Sequence, residues 1–474
     1  MAARALLLGA LCASAVLPVH SFTSYDNDFV DPHYVLARNF NATTMLAQQA
    51  IISTAEQLAT KGPWSVTFKN ITPPSGDLHD YMSWAPYSWP DCSKAGNTTV
   101  LTPEQIWTTC PYVTRDGQFN PDARLVDDVG SFSDLADAVF YNAIAWAIDG
   151  QAAHAASAAS FLQTWFIESD TGMNPNLNYA QMERGPSGQM GSHEGVLDLK
   201  CMAKIASGIL ILREGNATQW TADLDTQMKN WTTQYIGWLE NANLAIQESK
   251  AANNHGTYYF NQLAALQIIV GNLDGARGTL DRYYKGQFLS QIAANGDQPL
   301  ESARTRPYHY RAYNLAAMIT NARLAAYLSY SAWNLTSSAG ATVQDALNYA
   351  MVQSPGTESA SEIYPDVAAV AAAYGDPSGT YASFLLKQAG TAYVEDPAFL
   401  WDQPLSDNGL VQVTPTSTPS FGAASSATAS ATGGSGAKTS AESPQDSGAG
   451  SWRDTGASIL GAFVLAAGSF IYLL

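Results

Sequence analysis

SFSDLADAVFYNAIAWAIDG, residues 131–150, decides the fold class. Leu135, Val139, Phe140, Ile144 and Ile148 fall on one face of a helix, and no apolar–polar alternation of the strand kind competes with that reading. Ser131 or Ser133 can cap the start, and Gly150 can end it.

Working outward, the same pattern returns along the chain. It recurs in QAAHAASAASFLQTWF (151–166), GVLDLKCMAKIASGILIL (195–212) and LDTQMKNWTTQYIGWLENANLAIQES (224–249). GTYYFNQLAALQIIVG (256–271), LDGARGTLDRYYKGQFLSQI (273–292) and YRAYNLAAMITNARLAAYLSYSAW (310–333) continue it. Short Gly, Asn or Asp turns join these runs, so they read as consecutive helix hairpins, and no stretch alternates as a strand does. A hairpin cannot bury its apolar face alone, which predicts a stacked helical array. The expected class is all-α. The expected form is an (α/α) toroid, an incomplete barrel of helix hairpins with a central cleft, and an open solenoid is the alternative. The 12 Trp and 23 Tyr favour the toroid, because aromatic side chains lining a cleft hold sugar rings, although core packing uses the same residues.

The ends have a different composition. Residues 1–21, MAARALLLGALCASAVLPVHS, combine an early positive charge, a short apolar run and small residues, the pattern of a secretory signal peptide. Residues 406–447 are dominated by Ser, Thr, Ala, Gly and Pro, a composition too poor in apolar surface to offset its ordering entropy, so a disordered stalk is expected. Residues 448–474 finish in SILGAFVLAAGSFIYLL, behind small residues and a short polar spacer, as a glycolipid-anchor signal does. A retained tail helix is the alternative. The expected location is therefore the cell surface, with the chain secreted and GPI-anchored to the outer leaflet of the plasma membrane or passed on to the cell wall. The body, 22–405, is read as one catalytic domain and a monomer. Sequons at Asn41, Asn70, Asn97, Asn216, Asn230 and Asn334 fit that route.

Cys92 and Cys110 flank a Pro-rich loop and are expected to pair in an oxidising compartment, while Cys201 reads as a buried thiol. No Cys or His cluster has zinc-ligand spacing, and neither a metal nor a cofactor is expected. With 41 acidic against 23 basic residues the chain lacks the basic face that nucleic acid requires. Local arginines can still bind an anionic polysaccharide, because distant charge is screened.

Three segments break the helical pattern and concentrate polar aromatics. Residues 75–92, SGDLHDYMSWAPYSWPDC, hold His79, Asp80, Tyr81, Trp84, Tyr87 and Trp89, with prolines that block a long helix, and read as a long lid-like loop or cleft wall. Residues 248–262, ESKAANNHGTYYFNQ, gather Glu248, Asn254, His255 and Tyr258. Residues 301–315, ESARTRPYHYRAYNL, gather Arg304, Arg306 and Tyr310 just before a helix.

GDLHDYMSWAPYSWPD, PYVTRDGQFNP, NNHGTYY and RTRPYHYRAYNL occur in that order, and over residues 60–380 the chain resembles the alginate lyase-like polysaccharide lyases. The resemblance implies an (α/α) toroid acting on uronic acid polymers. It places the motif Asn and His on Asn254 and His255, the motif Tyr on Tyr310, and its arginine on Arg304 or Arg306. β-Elimination on a uronate needs exactly these kinds of group: donors that neutralise the C6 carboxylate and so acidify the C5 proton, a base at C5 and an acid at the leaving oxygen. Tyr310 beside arginines is expected to have a lowered pKa and to serve as both. Glu248, two helical turns before His255, would share its face on a continuous helix and orient the imidazole. His79, Tyr81, Trp84, Gln181 and Tyr258 are candidates for binding sugar. An inverting hydrolase using two of Asp80, Glu194 and Glu248 is a rival reading, and a non-catalytic wall polysaccharide-binding protein another. Glucuronan is favoured over alginate or polymannuronate, because the surface-anchored, Ser/Thr-rich character is fungal in kind.

Overall fold

The computed structural model describes residues 28–402 apart from 96–99, 187, 189 and 391. The expectations for residues 1–21, 406–447 and 448–474 and for Asn97 lie outside the described residues.

The longer helices are, in chain order, α1 (Met45–Ala59), α2 (Asp128–Asp149), α3 (Ala152–Leu162), α4 (Met202–Glu214), α5 (Ala222–Asn241) and α6 (Asn254–Ile269), followed by α7 (Leu273–Lys285), α8 (Pro307–Tyr327), α9 (Val343–Met351), α10 (Tyr364–Tyr374) and α11 (Thr380–Ala389). They alternate in character. In α4 every residue from Met202 to Leu212 is buried, and in α6 every residue but His255 is. In α5, by contrast, only Leu224, Met228, Trp231, Thr232, Tyr235 and Leu239 are buried, one stripe on an otherwise wet helix. Apart from α1, which buries one stripe, helices buried nearly all round form an inner ring, and striped helices pack outside it. Each fully buried Leu, Ile or Phe contributes about 1.5–3 kcal/mol. The inner helices contact one another in the sequence α1–α2–α4–α6–α8–α10. This is the (α/α) toroid.

The ring is joined at its ends by short pieces. The 3₁₀ turns Ala392–Glu395 and Pro397–Leu400 pack on α1. Arg323 of α8 binds both Asp28 and Asp402, and Trp401 Nε1 donates to Asp28 at 3.1 Å. The first and last described segments are thus fastened to one inner helix.

Two details differ from the sequence reading. The helix of the opening stretch begins at Asp128, with neither serine as its cap, while Gly150 ends it in the left-handed conformation as expected. Four short strands are also present among the described residues. β1 (Met82–Trp84) pairs parallel with β4 (Tyr179–Met182), and β2 (Ser88–Pro90) pairs antiparallel with β3 (Tyr112–Thr114). Runs of three or four residues are too short to show alternation, which is why they escaped notice. The β2–β3 ribbon is closed by the Cys92–Cys110 disulfide, and Cys201 is a buried free thiol. Asn70, Asn216, Asn230 and Asn334 are exposed, and Asn41 is half-buried. Among the described residues no helix is long and apolar enough to cross a membrane.

Candidate active site

The two polar stretches singled out in the sequence meet at the N-terminal ends of α6 and α8. His255 stands in the first turn of α6 and Tyr310 in the first turn of α8. The helix starts are stitched together: Thr257 Oγ1 donates to Asn314 Oδ1 at 2.8 Å, and the Tyr258 hydroxyl donates to the Tyr313 carbonyl at 2.9 Å. Both ends present the positive pole of a helix dipole, which suits an anion. Gly256 is what lets the chain turn so sharply into α6. A Cβ there would lie 2.1 Å from the Ala251 carbonyl oxygen.

Glu248 and His255 do meet, but not along a continuous helix. Glu248 ends the short helix Asn243–Glu248, the chain turns through 249–253, and α6 starts afresh. The fully buried Glu248 carboxylate sits between two imidazoles, with His255 Nδ1 2.7 Å from Oε1 and His193 Nδ1 2.6 Å from Oε2. Burial by itself would raise the Glu248 carboxyl, but the hydrogen bonds from His193 and His255 outweigh it and hold it below its ordinary value. The bond to Glu248 likewise raises His193. His193 begins the 3₁₀ turn His193–Leu199 and was not singled out in the sequence. The two imidazoles keep 29% and 18% of their side chains exposed for His193 and His255, so they are the open face of this cluster.

Asn254 is turned inward. Its backbone N–H and its Nδ2 each donate to Glu301 at 2.7 Å, while its Oδ1 is buried with no hydrogen-bond partner among the described residues. Burial raises the Glu301 carboxyl, partly offset by Asn254 and by the charges of Arg304 and His255. Glu301 therefore stands within electrostatic reach of both halves of the site.

Arg304, not Arg306, lies against Tyr310, with its guanidinium carbon 3.8 Å from the ring centre. Arg306 instead approaches Glu362 at 3.5 Å. Arg304 is held by Asp116 through Nη2 at 2.6 Å and Nε at 3.2 Å. Asp116 belongs to the loop after β3, and Tyr87, just before β2, accepts a hydrogen bond from the Tyr310 hydroxyl at 3.2 Å. The lid-like loop thus holds the tyrosine, and the loop after β3 holds the arginine. The expected lowering of the Tyr310 pKa does not occur. Burial pushes it well up, the neighbouring Tyr87 adds to the rise, and Arg304 pulls back only in part. Tyr310 rests as the neutral phenol.

The remaining candidates are spread along the wall. Tyr81 is fully buried and donates to Asp198, as does Gln181 Nε2 at 2.8 Å, so both brace the wall from inside. Tyr258 is also fully buried. Trp84 packs on Trp107 and Arg184. His79 is half-buried, with Nδ1 2.6 Å from the Gly172 carbonyl. Asp80 is tied to Asn174 and Asn176, and Glu194 is 3.4 Å from His193. Sequence reasoning did not single out His193, Glu301 and Asp116, and it gave Tyr87 no role beyond the loop. Tyr87, Asp116 and Glu301 carried a signal, as members of the quoted polar segments, and His193 carried none.

Imidazole and guanidinium donors thus face the same end of two adjacent helices as one neutral phenol, which provides for binding an anion beside a proton-transfer group. The family model described as Alginate lyase matches residues 65–360. Among solved structures, an alginate lyase from Bacteroides ovatus aligns at 27% identity and a TM-score of 0.65, over 78% of this chain and 97% of that one. Alginate lyase A1-III from Sphingomonas species A1 aligns at 14% identity and a TM-score of 0.39, over 69% of this chain and 80% of that one. No curated protein matches the sequence.

Proposed function

Because the chain belongs to the alginate lyase family and is a polysaccharide lyase, we propose that it cuts a uronic acid polymer by β-elimination, with glucuronan placed ahead of alginate and polymannuronate. The observation that carries the reading is the meeting of His255, Arg304 and Tyr310 at the starts of α6 and α8.

In this reading the C6 carboxylate lies against His255, His193 and Arg304, whose N–H donors stabilise the enediolate-like intermediate. Tyr310 as phenolate takes the C5 proton and, now a phenol, returns it to the departing O4 oxygen, leaving a double bond between C4 and C5. The resting phenol must first lose its proton to solvent; the Tyr87 hydroxyl accepts its hydrogen bond and orients it but does not keep the proton. Glu248 holds both imidazoles in register. Asn254 acts by fixing Glu301 beneath the site rather than by touching sugar. We further place the enzyme outside the cell, held at its C-terminal end by a glycolipid, on the strength of the sequence at residues 1–21 and 448–474.

The test is ultraviolet absorbance of the unsaturated product on a panel of glucuronan, alginate and polymannuronate. New absorbance in step with new reducing ends is expected. Reducing ends without absorbance would mean hydrolysis and overturn the reading.

A further inference from the structure

Beside the cleft lies a polar cavity of about 420 Å³, between the disulfide-closed ribbon and residues 183–186 and 190–192. Pro111, Tyr112, Glu183, Arg184, Met190 and Ser192 are among its lining residues. Arg184 is the unusual member. Its side chain is only 3% exposed, and its guanidinium is sandwiched 4.2 Å from the Trp84 ring centre and 4.7 Å from that of Tyr112.

The stacking orients the guanidinium but leaves its donors idle. Nη1 reaches Asp122 only at 3.5 Å, and among the described residues Nε and Nη2 have no hydrogen-bond partner. The Tyr112 hydroxyl, also buried, has none either. Buried polar groups in folded proteins are almost always satisfied, and each exception calls for an explanation. A planar guanidinium with an unused N–H edge matches a carboxylate, which it can bind through two parallel hydrogen bonds. Burial also lowers the Arg184 pKa, so an arriving anion relieves a charge that the fold holds at a cost.

The position of the cavity says which anion. Tyr112 pairs with Pro90 across the ribbon, and Tyr87, three residues before Pro90, touches Tyr310. Strand rise puts these two points roughly 10 Å apart along the ribbon. On the opposite wall Ser192 lines the cavity, and its neighbour His193 binds Glu248. The cavity therefore continues the cleft, at the reach of a short oligosaccharide.

We propose that the Arg184 cavity is a second anion subsite that binds the carboxylate of another uronate unit in the same polymer chain. This rests on the uronate-lyase reading above. Arg184 and the Tyr112 hydroxyl supply the donors, and Trp84 holds the guanidinium flat. Glu183 and Asp122 at the rim disfavour anions that lack a sugar chain to guide them in.

The experiment compares KM and kcat on the polymer and on the shortest oligouronate that the wild type cuts. Arg184→Met keeps length and stacking but removes charge and donors. It should raise KM on the polymer about tenfold or more, the effect of a lost charge-assisted hydrogen bond. The rise should be smaller on the shortest oligomer, and kcat should change less than KM. Met190→Glu, at a 59% exposed rim position, and Tyr112→Phe should move polymer KM in the same direction. These two carry the test if Arg184→Met does not fold. Wild-type KM on the polymer in the folded variants would overturn the subsite alone. A wild-type enzyme that forms no unsaturated product on any uronate polymer would instead overturn the reading on which the subsite rests.

Discussion

Arg304 lies over the ring of Tyr310, its guanidinium carbon 3.8 Å from the ring centre, while Asp116 binds both its Nε and its Nη2. The arginine is thus aimed by a residue of the loop after β3, and its charge is partly balanced before any substrate arrives. Burial, then the Tyr87 hydroxyl beside it, keep Tyr310 a phenol although a guanidinium covers its face, and the charge of Asp116 adds a smaller push in the same direction.

Tyr310→Phe removes the hydroxyl and keeps the ring. Packing should hold, and elimination should fall by about 10² to 10⁴ or more, since acid and base are lost together. Circular dichroism checks the fold, and a trapped, uncut oligouronate checks that binding survives. Release of unsaturated product at the wild-type rate would show that another group moves the proton.

The pair of Glu248 and His193 makes a prediction about pH. The folded pKa of His193 is raised, so its contribution to stability is complete below its ordinary 6.5 and is lost as pH rises through the raised value. The folded pKa of Glu248 is lowered, so its contribution is complete above its ordinary 4.5 and is lost as pH falls through the lowered value. Glu248→Gln should therefore cost roughly 1–3 kcal/mol. The deficit in Tm should be greatest between those limits and shrink on either side. A deficit that does not vary with pH would show that the cluster is not ionic.

Gly256→Ala places a methyl against the Ala251 carbonyl. The turn into α6 must open, at about 1–3 kcal/mol, and carry His255 off Glu248. Turnover should fall more than substrate binding, measured as a larger change in kcat than in KM. A normally active alanine variant would mean that the turn has slack.

Arg323→Met leaves Asp28 and Asp402 facing one another without their shared cation. Breaking a buried pair this way costs roughly 3–5 kcal/mol. Chemical denaturation should show the loss, with kcat unchanged in whatever fraction remains folded, because the latch is remote from Tyr310.

Parts of the site were legible because their chemistry is local. His255 and Tyr310 each stand in a dense polar stretch at a helix start, and such stretches are conspicuous in a chain with 14% charged residues. Their partners were not legible for a matching reason. His193 reaches Glu248 from 55 residues away, Asp116 reaches Arg304 from 188, and Tyr87 reaches Tyr310 from 223. Nothing in the neighbourhood of those residues records which distant side chain they will meet.

By itself the sequence determined the helices, their hairpin order and the family, because periodicity, turn residues and contiguous motifs are properties of neighbours along the chain. The tertiary structure alone decided that Arg304 rather than Arg306 covers Tyr310, that Asn254 turns inward to Glu301, and that the phenol's pKa moves up instead of down. Burial and long-range pairing set those outcomes, and both exist only once the ring of helices has closed.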